Sequence, residues 1–208
     1  SPELIDPSRA VAEDLTAPSL NVKLATPACV QTRPHLTPPF PALAQAARAI
    51  GHTLFILDSD GPVRRIAPVV QVGERTIPSL SLAAITAAGA TAAPAVSVDQ
   101  GQCAALVPWR GPAENANGLP TFTSYSFYDL FRAQQQVYEG QKPDIDPSLF
   151  RDRIVIVGVN ADGLHEVFTT PFPAGEINGP EVHANMTDAM LANRAIVRSP
   201  AWVSVALT

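Results

Sequence analysis

Seven polar residues that could bind a ligand occur in two groups toward the C-terminal end of the chain. Each group combines one histidine with carboxylates or an amide, and the set comprises Asn160, Asp162, His165, Glu166, Glu181, His183 and Asn185. Imidazole and carboxylate groups can bind a divalent metal ion that activates water. Glu181 and His183 are two residues apart, however, so they cannot share one helix face as the ligands of an HExxH site do. We therefore favour capping and buried hydrogen bonds over a metal site, and we expect no metal and no cofactor.

Residues 158–165 resemble a phosphate-binding loop because they contain two glycines, Gly158 and Gly163. Leu164 stands where such a loop needs a lysine to meet the phosphates, and the third glycine of a dinucleotide fingerprint is missing. The sequence also lacks the GxSxG and SxxK motifs that carry a nucleophilic serine. We therefore expect neither nucleotide binding nor a catalytic residue in this segment.

A predicted strand and the helix that follows it position the two groups. Residues 154–158 (Ile-Val-Ile-Val-Gly) form an uninterrupted β-branched run, which is typical of a strand buried on both faces of a parallel sheet. Gly179-Pro180-Glu181 then opens a helix that extends to about Leu191, with a proline and an acidic residue in its first turn. Open α/β sheets usually bind ligands at the carboxyl ends of parallel strands. The sequence therefore predicts a binding site between the end of this strand and the start of the helix.

Proline and glycine divide the rest of the chain into short elements. Apolar runs at 53–57 and 63–72 flank Asp58-Ser59-Asp60-Gly61, whose Asp-Gly pair favours a β-hairpin. Further helices are predicted at 8–15, 41–50, 79–88 and from a cap at Ser124 or Ser126 to Gly140, and further strands at 21–25, 96–98 and 103–107. The expected fold is α/β, with a mixed, largely parallel sheet flanked by helices and a β-hairpin.

Length and charge limit the classes of protein to which the chain can belong. Its 208 residues suit one domain spanning residues 1–208, and 46% of them are apolar. Lys and Arg number 14 against 19 Asp and Glu, giving a net charge of −5 without a basic cluster, so we expect no nucleic acid as a partner. The longest uncharged stretch, 76–98, is rich in alanine, serine and proline, which disfavours a membrane-spanning helix.

The two cysteines and the two ends of the sequence leave alternatives open. Cys29 and Cys103 have neither zinc-binding nor redox-motif spacing, so they are either a disulfide of an oxidising compartment or two buried thiols. The sequence after Ser1 lacks the basic start and apolar run of a signal peptide. The apolar run that begins at Trp202 suits either a last strand or the first turns of a membrane helix.

Several blocks of the sequence, taken in order, resemble the CHASE2 sensor domain. The blocks are 58–65 (DSDGPVRR), 78–84 (PSLSLAA), 150–158 (FRDRIVIVG), Gly163-Leu164, Thr170-Pro171 and 179–185 (GPEVHAN). Together they span most of the chain, and their order and spacing argue against a chance match. Two features depart from the family: CHASE2 domains usually begin with a further strand and helix before the segment matching 11–24, and Glu166 stands where the family generally has Asp.

The resemblance implies an extracytoplasmic sensory domain, periplasmic or at the cell surface, of a bacterial membrane receptor. Membrane helices of the same full-length chain would pass the signal, a small molecule or a protein, to a cytoplasmic adenylate cyclase, histidine kinase or Ser/Thr kinase. The resemblance implies no enzyme activity in this segment, and a domain that lacks its N-terminal strand and helix. The alternatives are a ligand-free module that forms a homodimer and sets the output domains in register, and a metal-dependent hydrolase that uses His165, Glu166, Glu181 and His183.

Overall fold

The computed structural model describes residues 29–34, 37–89, 96–159, 167–173 and 175–197. The helices in these ranges are α1 (Pro41–Ala46), α2 (Leu80–Ala87), α3 (Phe127–Tyr138) and α4 (Gly179–Leu191). The strands in these ranges are β1 (Gln31–Thr32), β2 (Phe55–Leu57), β3 (Val63–Ile66), β4 (Val69–Val72), β5 (Arg75–Pro78), β6 (Val98–Asp99), β7 (Ala104–Leu106), β8 (Val167–Thr169) and β9 (Glu176–Asn178). The helix predicted at 8–15 and the strand predicted at 21–25 lie outside the described residues.

The four-stranded sheet contains the predicted β-hairpin. Its strand order is β2-β3-β7-β6, and each neighbouring pair is antiparallel. The turn between β2 and β3 is closed by a hydrogen bond from the backbone N–H of Gly61 to the carbonyl of Asp58. Gly61 has a φ of 103°, which an L side chain rarely adopts, so the turn requires the glycine. The predicted hairpin is confirmed, and so is the pairing of the strands predicted at 96–98 and 103–107.

The three-stranded sheet, with the order β1-β4-β5, exists because the long strand predicted at 63–72 is interrupted. Pro68 has no backbone N–H to donate to a strand ladder, and the run divides there into β3 and β4, which belong to different sheets. β4 turns at Gly73 and pairs antiparallel with β5, a strand that the sequence pattern did not indicate. β1 pairs with β4 in parallel, with Gln31 opposite Val70.

A largely parallel sheet is not confirmed. Among the described residues the β1–β4 ladder is parallel, and the ladders of the other named strands are antiparallel. Residues 154–158, predicted as a covered central strand, form no strand, and Val155 and Val157 are 51% and 73% exposed. A β-branched apolar run shows that a segment suits a covered strand, but the neighbours that would cover it come from distant parts of the chain. The β8–β9 hairpin, and not a parallel strand, leads into α4.

The helices of the described residues begin close to the positions that the sequence predicted. The hydroxyl of Ser79 caps α2 by accepting a hydrogen bond of 3.3 Å from the backbone N–H of Leu82. α4 occupies the predicted range and has Pro180 in its first turn. α3 begins after Ser126, one of the two predicted caps, without a hydrogen bond from the side chain. α1 is shorter than predicted, because Ala47 already has an extended backbone.

The main core lies where α2 and α4 meet the four-stranded sheet. Its buried members are Val63, Ile66, Val69, Leu82, Ile85, Ala105, Val107, Ile177, Val182, Met186 and Met190. α2 and α4 pack against each other closely, and half of the eight residues of α2 are alanine or serine, which leaves little bulk between its larger side chains. The core therefore holds α4, the helix that carries part of the predicted site, in a fixed position.

A disulfide joins Cys29, which precedes β1, to Cys103, which precedes β7. The sequence left open whether the two cysteines form a disulfide or remain buried thiols, and the structure shows the disulfide. The bond connects the three-stranded sheet to the four-stranded sheet and closes a loop with a sequence separation of 74. A disulfide of this kind forms and persists in oxidising compartments.

Candidate functional site

The structure describes three of the seven predicted site residues, all in the first two turns of α4. They are Glu181, His183 and Asn185. The other four, Asn160, Asp162, His165 and Glu166, lie outside the described residues. The binding role of the set therefore stays a prediction, and the structure defines the surroundings of the three residues on α4.

The start of α4 lies directly against Gly158. A Cβ atom added at Gly158 would lie 2.1 Å from Cγ of Pro180, so this position accepts no side chain unless Pro180 moves. The chain leading into the first predicted group therefore passes the N-terminus of α4, which is the juxtaposition that the sequence predicted. The first turn of a helix presents unpaired backbone N–H groups and favours negative charge.

Glu181 is half-buried in this first turn. Burial raises the pKa of its carboxyl group, a hydrogen bond with Asn178 opposes the shift, and the negative charge of Glu114 adds to it. A carboxyl group with a raised pKa and partial access to solvent can exchange a proton or accept a hydrogen bond from a bound molecule. Of the three described residues, Glu181 is the one whose side chain is not fully buried.

Asn185 connects α4 to the segment that follows β7. Its side chain is buried, with 1% exposed. Its Oδ1 accepts a hydrogen bond of 2.8 Å from the backbone N–H of Arg110, and its Nδ2 donates one of 2.9 Å to the carbonyl of Glu181. Both ends of the amide are therefore paired within the protein, which fixes the position of the first turn of α4.

His183 lies between α4, α2 and β2. Its Nδ1 is 3.2 Å from the hydroxyl oxygen of Ser81, and that hydroxyl also lies 3.1 Å from the carbonyl of His183. The imidazole packs against the ring of Phe55, with a centroid distance of 4.8 Å. Because His183 is 2% exposed, its contacts in this structure are with protein groups.

A second buried histidine, His52, lies close to His183, and no motif in the sequence indicated it. Its Nδ1 accepts a hydrogen bond of 3.2 Å from the backbone N–H of Leu54. Its backbone pairs with both sides of Ser79, donating to the carbonyl of Pro78 and accepting from the N–H of Leu80. The chain before His52 crosses the start of α2 at Gly51. An added Cβ at Gly51 would lie 2.6 Å from Cα of Leu80, so the crossing needs a glycine, and this glycine was the one sequence signal for it.

The two buried histidines, the buried Ser81 and the partly buried Phe55 form a group that we call the histidine cluster. Burial lowers the pKa of His52 to about 4, and the neighbouring His183 lowers it further. Burial lowers the pKa of His183 to about 4 as well, and the nearby backbone of Thr53 opposes the shift. In both rings Nε2 is buried and lacks a hydrogen-bond partner among the described residues. The cluster is therefore neutral near pH 7 and resists taking up protons.

Two further findings concern the described part of the chain. It holds no group of three or more His, Cys, Asp or Glu side chains that could bind a metal ion together. None of its helices has the length and apolar character needed to cross a membrane.

Comparison with known proteins returns one result. No curated protein matches the chain, and no solved structure matches it. The family model of the CHASE2 domain matches residues 6–208, which include every block that carries the sequence resemblance. Because that match covers nearly the whole sequence, the chain belongs to the CHASE2 domain family.

Proposed function

We propose that this chain is the signal-binding domain of a bacterial transmembrane receptor. CHASE2 domains are extracellular sensory domains of signalling receptors and are not catalytic, and the family match over residues 6–208 is the observation that carries the proposal. Membrane helices of the full-length receptor pass the signal to a cytoplasmic cyclase or kinase, and the segment itself has no enzyme activity. The disulfide between Cys29 and Cys103 supports a position outside the reducing cytoplasm.

The signal molecule binds where the chain at Gly158 meets the start of α4. The contact between Gly158 and Pro180 supports this position, as does the half-buried carboxyl group of Glu181 next to it. Asn160 and Asp162 follow Gly158 by two and four residues in the sequence. His165 and Glu166 complete the proposed set, which binds a small molecule or a segment of a protein.

A ligand at this site acts on the packing of α4. His183 and Asn185 fasten the first turns of α4 to α2 and to the segment after β7, so a shift at the N-terminus of α4 must rearrange these buried contacts. Signalling requires two arrangements of the helix with different affinities for the ligand, because a ligand that binds both equally shifts neither.

Two experiments test the proposal. Sequencing the coding DNA on both sides of the 208 residues should reveal apolar segments of about 20 residues and a cyclase or kinase domain beyond them. A stop codon directly after Thr208 together with a cytosolic start at Ser1 would overturn it. Thermal unfolding of the chain with a panel of amino acids and dicarboxylates should identify a stabilising compound whose effect weakens in Glu181→Gln and persists in the control Glu74→Gln, an exposed carboxylate between β4 and β5.

A ligand-free dimerisation module is the second candidate function. The observation that favours it is the exposed apolar face of α3. In this case no compound raises the melting temperature, whereas dilution of the protein lowers it.

A further inference from the structure

We propose that α3 is the contact surface between two copies of this chain. The two sides of α3 are covered in the opposite way to those of an ordinary surface helix. A surface helix normally turns its apolar side to the core and its polar side to solvent. The polar side of α3 is instead held by its own chain: Arg132 forms an ion pair with Asp144, and Gln136 both donates to the Asp144 carboxylate and accepts from the Asp144 N–H.

The opposite side of α3 presents large aromatic rings to solvent. Phe127, Tyr128, Phe131 and Tyr138 are 70%, 68%, 56% and 83% exposed. With 3.6 residues per turn, Phe127, Phe131, Gln134 and Tyr138 form one stripe along the helix, and Tyr128 and Gln135 flank it on one side. We call these six residues the aromatic stripe. Ala133 is the one fully buried residue of α3, so most of the apolar side lacks a covering layer.

The order of side chains in the aromatic stripe fits a second copy of itself. Its spacing of four, three and four residues reads the same in both directions. In an antiparallel pair, a two-fold axis near the middle of α3 places Phe127 opposite the partner's Tyr138 and Phe131 opposite the partner's Gln134, and the same contacts repeat across the axis. The stripe contains no charged residue, so like charges do not meet at the axis.

The area of the stripe suits a weak dimer. An aromatic side chain buries about 150–250 Å² when fully covered, so the exposed parts of the four rings supply about 500 Å² per copy and about 1,000 Å² per pair. That total lies at the lower limit of specific protein interfaces, in the range of transient complexes of less than about 1,200 Å². Two receptors held in one membrane raise each other's local concentration, which makes a weak contact sufficient.

The chemistry of α3 argues against a lipid surface as the occupant. Helices that lie on membranes carry lysine and arginine along their polar side. The one basic residue of α3 is Arg132, which is already paired with Asp144, and the whole chain has a net charge of −5. The inference concerns association and does not depend on ligand binding, so the two proposals can fail separately.

The test is sedimentation equilibrium of the 208-residue chain between about 1 μM and 1 mM, the range in which weak complexes form. The weight-average mass of the natural sequence should rise from the monomer toward the dimer. The double variant Phe127→Ser with Phe131→Ser should remain a monomer over the whole range. Phe40→Ser, which changes an exposed phenylalanine at the start of α1, serves as the matched control and should dimerise like the natural sequence.

Three outcomes overturn the proposal. The first is a natural sequence that remains a monomer up to the highest concentration, whether or not the double variant folds, since the stripe is then covered by the chain itself or left free. The second is a dimer that persists in the folded double variant. The third is a monomer that binds vesicles of phosphatidylcholine and phosphatidylglycerol through the stripe and loses this binding in the double variant, which would assign the stripe to lipid.

Discussion

α4 and α3 have similar lengths but differ in how the protein covers them. α4 has 13 residues, and those buried are Val182, His183, Asn185, Met186, Thr187, Ala189 and Met190. α3 has 12 residues, and Ala133 alone is buried. The difference runs against the sequence pattern, because α3 separates apolar from polar side chains more cleanly, whereas α4 places a histidine, an asparagine and a threonine in the interior. Periodicity therefore indicates which side of a helix is apolar and does not show what covers that side.

The polar groups of α4 are tolerated in the interior because most of them find partners. The hydroxyl of Thr187 donates a hydrogen bond of 2.7 Å to the carbonyl of His183, and Asn185 pairs with Arg110 and Glu181. Buried polar groups with such partners fix the position of a helix more specifically than apolar contacts do. α3 lacks this kind of anchoring on its aromatic side, which leaves it available for another molecule.

Core truncation should distinguish the two helices most directly. Leu82→Ala removes a fully buried side chain from α2 where it meets α4, and it should lower the free energy of unfolding by about 3 kcal/mol through lost burial and a cavity. Phe131→Ala removes a larger side chain from α3, but at low protein concentration it should change the free energy of unfolding by less than about 0.5 kcal/mol. Urea unfolding measures both changes. Equal losses would show that α3 is packed as firmly as α4.

Acid should weaken the α2–α4 region through the histidine cluster. Burial lowers the pKa of both His52 and His183 from 6.5 to about 4, so the unfolded chain binds protons more readily than the folded one. Stability is therefore complete above pH 6.5 and falls as the pH decreases toward 4, by up to about 1.4 kcal/mol per pH unit for each histidine. Urea unfolding between pH 7 and pH 4.5 should show this slope.

The variant His183→Gln isolates one of the two titrating groups. It should unfold more easily at pH 7, because the contacts with Ser81 and Phe55 are altered, yet its stability should depend on pH about half as steeply. An unchanged slope in this variant would contradict the assignment of the acid response to the cluster.

Removal of the Asn185 amide should have an intermediate effect. Asn185→Ala leaves the backbone N–H of Arg110 without its acceptor, and the free energy of unfolding should fall by about 2 kcal/mol. Gln135→Ala, at an exposed position of α3, is the matched control and should fall within about 0.5 kcal/mol of the natural sequence. Chemical denaturation of the two variants at the same pH tests the difference.

The smallest expected loss of stability comes from removing a helix cap. Ser79→Ala removes the hydroxyl that accepts from Leu82 at the start of α2, and it should lower the free energy of unfolding by about 1 kcal/mol. Ser126 stands at the corresponding position of α3 but makes no capping hydrogen bond through its side chain. Ser126→Ala should therefore be nearly neutral. Thermal unfolding compares the two variants, and equal losses of stability would show that the side chain of Ser126 caps α3 after all.

The features that the sequence predicted correctly are those that depend on near neighbours in the chain. The Asp58–Gly61 turn, the Ser79 cap of α2 and the proline start of α4 each depend on residues within one turn of each other. The resemblance that rests on blocks in a fixed order also holds, since the CHASE2 family model matches residues 6–208.

The features that it missed depend on contacts between distant residues. The exposure of Val155 and Val157 follows from which strands meet, and that is not written in the local pattern. The division of residues 63–72 between two sheets had a local signal in Pro68, but which sheet each half joins depends on distant strands. The candidate site shows both outcomes. The approach of Gly158 to α4 was predicted, whereas the position of His52 in the histidine cluster depends on a chain crossing at Gly51 that no spacing rule indicates.

The Cys29–Cys103 bond has a mechanical consequence for a receptor domain. Force applied to the chain before Cys29 passes through the sulfur atoms to Cys103 and bypasses the residues between them, including α2 and β1 to β6. Those residues belong to a closed ring with a sequence separation of 74, so they add no length when the chain is stretched from its ends. Cutting the ring with a reductant would release about 250 Å of hidden contour length. Tension between the two ends therefore reaches β7 through the sulfur atoms and not along the backbone of the ring.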